Sequence, residues 1–196
     1  MGMPLPRQWT TADVRALTQE DRPWPRYELI DGELLATPAP RGPHQCAAME
    51  ISMVLYAYLE RVGVGFPLQS PADLELRPGT ITQPDVFVVH GAAERSEAPM
   101  AWSDIRSLLL AVEILSPSSS RTDRVIKRDF YLANGVAAYW IIDCDGQTIE
   151  RWQSLQNPPD LCRGRIAWAP LDCEPLVIDL DAMFARMADK CRCMQR

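Results

Sequence analysis

Leu108-Leu109-Leu110-Ala111-Val112-Glu113-Ile114-Leu115 is the stretch on which the reading of this chain turns. An unbroken apolar run of this length marks a strand buried on both faces of a sheet. The strand is predicted over 107–115, with helices packed against the sheet that contains it. The expected class is α/β (α+β with a mixed sheet). Glu113 is the exception within the run. An unpaired buried carboxylate is costly, so such a group pairs, takes a proton or binds a metal. Taken alone, Glu113 is equally well explained as a core glutamate satisfied by one of the chain's many arginines.

Upstream of this run, Gln83-Pro84-Asp85 leads into Val86-Phe87-Val88-Val89. Proline is tolerated where a strand begins or at an edge, so Asp85 is placed where the strand predicted over 81–90 enters the sheet. A Pro-Asp pair beside a strand is commonly only a turn. Two strands that each present one carboxylate say more, because neighbouring strands lie ~5 Å apart. Asp85 and Glu113 can then share a hard cation such as Mg²⁺ or Mn²⁺, which prefers oxygen ligands.

Downstream, Ser116-Pro117-Ser118-Ser119-Ser120 is rich in helix-capping residues and leads into a helix predicted over 122–133, closed by Asn134-Gly135. Its first turns hold the most basic segment of the chain, Arg121-Thr122-Asp123-Arg124-Val125-Ile126-Lys127-Arg128. Helical spacing puts Arg124, Lys127 and Arg128 on one side and leaves Val125, Ile126 and Leu132 for the core. One reading is a solvated face with an Asp123–Lys127 pair worth roughly 0.3–0.5 kcal/mol. The other sets Lys127 over the carboxylates as a point charge, with the arginines gripping phosphates.

The remaining chain supplies the frame. A short helix is expected over 11–20, with Thr10 or Thr11 as N-cap. A hairpin over 27–35 turns at Asp31-Gly32, and a proline-rich loop over 37–43 holds Arg41. A helix over 44–61 carries the stripe Ala47, Ile51, Val54, Leu55, Tyr58 and Leu59, ended by Gly63 and Gly65. Strands are predicted over 66–69 and 72–76, and a polar loop over 91–104. A second hairpin, 138–143 with 147–152, is expected around Asp145-Gly146. Beyond 154 the pattern weakens to a loop, a strand over 176–178 and a helix over 181–189. The division is an N-terminal extension over 1–25, one domain over 26–190 and a tail over 191–196.

Composition sets outer limits. Of 196 residues, 47% are hydrophobic and 23% charged, the balance of a globular chain. The formal net charge is −6 and the pI about 5.0, which argues against unspecific coating of nucleic acid but leaves room for a local basic strip. The six cysteines form no CxxC pair and no zinc-ligand spacing, so free and mostly buried thiols are expected. No signal peptide and no membrane-spanning run is visible, and the expected location is cytoplasmic. GxSxG, Walker and dinucleotide glycine patterns are all missing, so no organic cofactor is expected.

These motifs, in order, resemble a known family. The matching pieces are Tyr27-Glu28-Leu29-Ile30-Asp31-Gly32-Glu33-Leu34, His44 at a helix start, Gln83-Pro84-Asp85, and Val112-Glu113-Ile114-Leu115-Ser116-Pro117-Ser118. The segment 121–127, Tyr131, and Gly135-Val136-Ala137-Ala138-Tyr139-Trp140-Ile141-Ile142-Asp143 complete the set. Together they are similar to the Uma-type restriction endonucleases of bacteria, within the PD-(D/E)XK nuclease superfamily. The resemblance implies a restriction-endonuclease-like core with flanking helices and an N-terminal hairpin. It implies Mg²⁺ or Mn²⁺ held by Asp85 and Glu113, and DNA as the substrate. The superfamily pattern carries a lysine two residues after the second acid, where this chain has Leu115; the resemblance moves that role to Lys127. It also implies a further acidic ligand from Glu33 or Glu28, which stays open between the two. His44 is either a capping or surface histidine or a residue that supports the acids or contacts phosphate.

The expected function is therefore metal-dependent hydrolysis of DNA phosphodiester bonds. Asp85, Glu113 and Lys127 would be catalytic, Arg121, Arg124 and Arg128 would position the backbone, and a homodimer would suit cleavage of two strands. The alternative is a catalytically inactive nuclease-fold protein that acts as a DNA-binding or protein-interaction module. A third reading makes the chain a structural or dimerisation domain whose Glu113 is salt-bridged in the core.

Overall fold

The computed structural model describes residues 8–18, 24–91 and 101–193. The extension over 1–7, residues 19 and 20 of the first expected helix, most of the 91–104 loop and residues 194–196 of the tail lie outside the described residues.

A six-stranded sheet in the order β3-β4-β5-β6-β7-β8 organises the chain. Its members are β3 (Gly65–Gln69), β4 (Val86–His90), β5 (Leu110–Ile114), β6 (Tyr139–Asp143), β7 (Thr148–Trp152) and β8 (Asp160–Cys162). β5 is central and every residue in it is buried, as its apolar run requires. It pairs antiparallel with β4 and parallel with β6, so the sheet is mixed. The parallel pair needs a crossover, and the chain between β5 and β6 supplies a helical one. A hairpin, β1 (Arg26–Ile30) with β2 (Glu33–Thr37), stands apart from the sheet, as does a second pair, β9 (Arg165–Trp168) with β10 (Leu176–Asp179).

Alternation divides the sheet into two buried faces. Val86, Val88, Leu110, Val112, Trp140 and Ile142 pack against Ile51, Leu55 and Leu59 of α2 (Gly42–Val62) and Met183 and Phe184 of α4 (Leu180–Cys193). Phe87, Val89, Ala111, Tyr139 and Ile141 face the other way, onto Ile30 of the hairpin and Phe130 and Tyr131 of α3 (Arg128–Ala133). Asp85 and Glu113 share the odd parity of this second face.

Several local expectations are met. Asp31 (φ 52°) and Gly32 (φ 79°) form the two-residue turn between β1 and β2, both with the positive φ that such turns demand. In α1 (Thr11–Thr18), Thr10 Oγ1 accepts the Asp13 N–H while Asp13 Oδ2 accepts the Thr10 N–H, so Thr10 is the cap. α2 begins two residues earlier than expected because Pro43 sits in its first turn, where a missing N–H costs nothing. Gly63 ends it at φ 72°.

Other expectations are corrected. Residues 72–76 and 81–85 form no strands; only the bridges Leu74↔Thr82 and Leu29↔Ile81 occur there. The weakly patterned stretch after 154 holds β8, three residues with none buried, and β9, four residues of alternating burial, and neither offers a run to read. α4 extends through Cys193, four residues past the expected end and into the expected tail. Among the five cysteines placed with their side chains, only Cys46 is buried. Among the described residues, no helix is long and apolar enough to cross a membrane.

Candidate active site

Strand register puts the two acids together. Val86 lies opposite Val112 and Phe87 opposite Ala111. Carried one residue past the end of β4, the same antiparallel count sets Asp85 opposite Glu113. Directly opposed residues project from the same face. The Ile114 N–H donates to Asp85 Oδ2 at 2.9 Å, tying the Asp85 side chain to β5. Both acids are buried, at 7% and 3% exposure.

The cation comes from the crossover. Residues Thr122–Lys127 form a π-helical segment that runs directly into α3, and the Arg128 N–H donates to the Asp123 carbonyl five residues back. A widened turn of this kind shifts the phase of the side chains that follow and recurs at functional sites. Here it accompanies a partial change of the expected faces, in which Ile126 and Leu132 pack against the core as expected while Lys127 and Val125 depart from their expected sides. Lys127 is buried while Val125 is 45% exposed, so Lys127 does not share an outer side with Arg124 and Arg128, and Val125 does not face the core. Three carboxyl groups compensate the buried ammonium. Nζ lies 2.7 Å from Glu28 Oε2, 3.1 Å from Glu113 Oε1 and 3.8 Å from Asp123 Oδ1. The Asp123–Lys127 pair is therefore a buried contact and not the solvated surface pair of the first reading.

Supporting groups lock this arrangement. Glu28 Oε1 accepts the Gln83 N–H at 2.8 Å, which joins β1 to the segment leading into β4. The Tyr131 hydroxyl reaches Glu113 Oε1 at 3.4 Å, and the Tyr139 hydroxyl donates to the Asp123 carbonyl at 2.9 Å. On the other side of Asp85, His44 Nε2 stands 3.0 Å from Oδ2 and Arg26 Nη2 stands 3.3 Å from Oδ1. His44, in the first turn of α2, thus meets a carboxylate of the protein itself.

The electrostatics are uneven. Four buried carboxyl groups, from Glu28, Asp85, Glu113 and Asp123, face two permanent cations, Arg26 and Lys127. Burial pushes Glu113 well above the usual carboxylate range, against the pull of Lys127. Burial likewise raises Asp123, to about 6. Burial also acts to raise Asp85, but His44, Lys127 and the Ile114 N–H outweigh it and hold that carboxyl below its usual value. Burial works against the charge on Lys127, yet Glu113, Glu28 and Asp123 outweigh it, so the amine stays cationic. A salt-bridged core glutamate accounts for the Lys127–Glu113 contact. It does not account for the surplus of acid around it.

Whether these residues suit a divalent metal turns on the donors left over. A carboxylate offers about four lone-pair positions. Asp85 Oδ2 already takes Ile114 and His44, whereas among the described residues Oδ1 takes only Arg26 at 3.3 Å. Glu113 Oε1 takes Lys127 and Tyr131, and among the described residues no hydrogen bond reaches Oε2. Asp123 Oδ1 is buried and, among the described residues, has no hydrogen-bond partner. Free hard oxygens in a cluster with excess negative charge fit Mg²⁺ or Mn²⁺. Among the described residues no three His, Cys, Asp or Glu side chains converge as a preformed cage. That agrees with the habit of Mg²⁺, which keeps several waters and uses one or two carboxylates together with substrate phosphates.

The other expected residues lie apart. Glu33 is exposed at the start of β2, opposite Ile30 beside the turn, and it is Glu28 that enters the cluster. Arg121 is exposed. Arg124 is held by Glu150, with Nη2 to Oε1 at 2.6 Å. Arg128 is paired with Asp129 and lies over the Trp152 ring at 4.7 Å. Sequence reasoning passed over Arg26, Tyr131 as a hydrogen-bond donor, and Asp123 as a cluster member. It left Glu28 level with Glu33, although mid-strand placement between apolar neighbours distinguishes Glu28 from a turn-flanking acid.

The fold has a solved counterpart. A crystal structure described as a putative nuclease belonging to DUF820, from Anabaena variabilis ATCC 29413, superposes with a TM-score of 0.69 at 21% sequence identity. The match covers 91% of this chain and 99% of that one, and at this identity it shows a shared fold. Among curated proteins none matches the chain. A family model described as "Uma2: Putative restriction endonuclease" matches residues 12–164, the span that holds the hairpin, both acids and the crossover lysine, and the chain belongs to that family.

Proposed function

We propose that the protein is a metal-dependent endonuclease that hydrolyses DNA phosphodiester bonds. One observation carries the proposal: Asp85, at the entry to β4, lies opposite Glu113 of β5, and both are buried in one cluster with the ammonium of Lys127. Asp85 and Glu113 would hold Mg²⁺ or Mn²⁺ through the lone pairs they keep free. Such an ion, when bound, supplies Lewis acidity toward a phosphoryl oxygen and lowers the pKa of water. Lys127, kept as an ammonium by Glu113, Glu28 and Asp123, is suited to orienting water or offsetting phosphoryl charge and not to taking a proton at neutral pH. His44 and the Ile114 N–H orient the Asp85 carboxylate. Arg121, Arg124 and Arg128 lie on the crossover segment and would position the backbone, with Arg124 and Arg128 released from their acidic partners. Cutting both strands of a duplex suits a homodimer, which sedimentation of the purified chain would reveal.

The test is incubation of the purified protein with single-stranded, duplex and supercoiled DNA in Mg²⁺ or Mn²⁺. Cleavage that Asp85→Ala abolishes is expected. The proposal fails if no DNA form is cut, or if cutting survives Asp85→Ala. A second reading, a catalytically inactive module on the same fold, is favoured by Leu115 at the usual lysine position and by the engagement of Arg124 and Arg128 with acids. It predicts no calorimetric Mn²⁺ signal that depends on Glu113.

A further inference from the structure

Among the described residues Arg26 is the one arginine drawn into the buried cluster, and it is bonded differently from the paired surface arginines. Arg124, Arg128 and Arg151 each hold a carboxylate through Nη2 at 2.6 Å. Arg26 reaches Asp85 Oδ1 only at 3.3 Å, beyond the usual N–H···O range. Its side chain is nevertheless only 10% exposed, and its Nε is buried with no hydrogen-bond partner among the described residues. A guanidinium carries five N–H donors, and leaving one unmet in the interior is costly. A merely structural ion pair would close this distance and satisfy Nε. The group is also held in place from one side, with Cζ 4.8 Å from the centre of the Trp24 ring. It is therefore a desolvated and underused donor fork beside the oxygen of Asp85 that, among the described residues, keeps a free lone pair. Nearby, His44 Nδ1 is a second buried polar atom without a hydrogen-bond partner among the described residues.

We infer that Arg26 is the phosphate-binding residue of this site, its guanidinium receiving a non-bridging oxygen of a phosphodiester alongside the Asp85 carboxylate. The class of ligand rests on the nuclease reading above; the anion-binding role rests on the geometry of Arg26 itself. Planar guanidinium matches phosphate in two-point contacts that a lysine ammonium cannot reproduce. The surrounding carboxylates repel an anion in the absence of a divalent cation, so the ligand binds best when such a cation offsets them.

The test is calorimetric titration of the full chain with pTpT, the 5′-phosphorylated thymidine dinucleotide, in millimolar CaCl₂. Arg26→Gln is expected to weaken binding about tenfold or more, the loss of one charge-assisted contact. Arg26→Lys, which keeps the charge and removes the fork, should recover only part of it. Arg61→Ala, which removes an exposed charge paired with Glu174 at the far end of α2, should bind as the unaltered chain does. Thermal unfolding of each variant checks folding; if Arg26→Gln does not fold, the partial loss in Arg26→Lys carries the test. The inference is overturned if the unaltered protein does not bind pTpT, or if both Arg26 variants bind it equally well. Cleavage assays on the same samples separate the two ideas. Asp85-dependent cutting with pTpT affinity indifferent to Arg26 removes only this inference. Arg26-dependent binding in a protein that cuts no DNA removes only the nuclease reading.

Discussion

Lys127→Met is the perturbation that tests most directly how the cluster is held together. Methionine keeps most of the length of the side chain and deletes the ammonium. Glu28 loses its contact at 2.7 Å and Glu113 its contact at 3.1 Å, both at 3% exposure or less. Removing one partner of a buried ion pair costs about 3–5 kcal/mol, because the remaining charge is stranded. Glu28 keeps the Gln83 N–H and Glu113 keeps the Tyr131 hydroxyl, so neither is left bare. For a chain of 196 residues that loss corresponds to a melting temperature lower by roughly 6–20 °C, at about 2–4 °C per kcal/mol. The pH dependence follows from Glu113, whose carboxyl burial already pushes well above its usual range. Without the lysine it takes a proton more readily still, so the deficit shrinks as pH falls. Thermal unfolding followed by circular dichroism between about pH 5 and 8 reads both effects. Lys127→Met combined with Glu28→Gln should regain part of the loss, since one stranded charge is then gone. A shift under about 3 °C at neutral pH, or a deficit that grows on acidification, would refute the account of Lys127 as the ion that neutralises this core.

Further outcomes follow from the same contacts. Asp123 titrates at about 6 against 3.8 for an ordinary aspartate, because burial disfavours its charge. Its contribution to stability is thus intact below about pH 4 and lost as pH rises through 6, so Asp123→Asn should gain up to about 3 kcal/mol relative to the parent between those limits; urea unfolding at pH 4 and pH 7.5 checks the sign. Glu50 is buried between Arg186 and Lys190; burial acts to raise its carboxyl, but those two cations outweigh it and hold it below the usual range. Glu50→Gln should therefore destabilise at neutral pH and lose that effect as pH falls below about 4, as a pH series of melting temperatures would show. Gly63, at φ 72° with nothing within 4 Å of an added Cβ, isolates the backbone cost of a left-handed cap; Gly63→Ala should cost about 1 kcal/mol in denaturant unfolding, and no loss would remove the capping argument.

Much of this protein was legible in the chain itself. The apolar run around Glu113 is a strand buried on both faces because such a run has no side that water tolerates. Asp31-Gly32 is a hairpin because two consecutive positive φ angles call for those residues. Asp85 and Glu113 were readable as a pair because their strands were. What stayed hidden depends on phase and on distant contacts. Lys127 was readable either as one of three cations on a solvated face or as a point charge over the acids, and ideal helical spacing, which puts it beside Arg124 and Arg128, does not choose between them. Its burial required three carboxyl groups from separate parts of the chain and a π turn that spacing rules do not anticipate. Glu28 and Glu33 stood level as acids in one motif, separated only by the mid-strand position of Glu28, and the packed hairpin buries Glu28 and leaves Glu33 exposed at the turn. Arg26 carried no local signal at all, because an arginine's role is set by the partners that tertiary packing brings to it or withholds. Covalent order and periodicity therefore marked the central strands of the sheet and the acids on or beside them. Only the packed structure decided which cations meet those acids, because the desolvation that makes such meetings matter does not exist until the chain has folded.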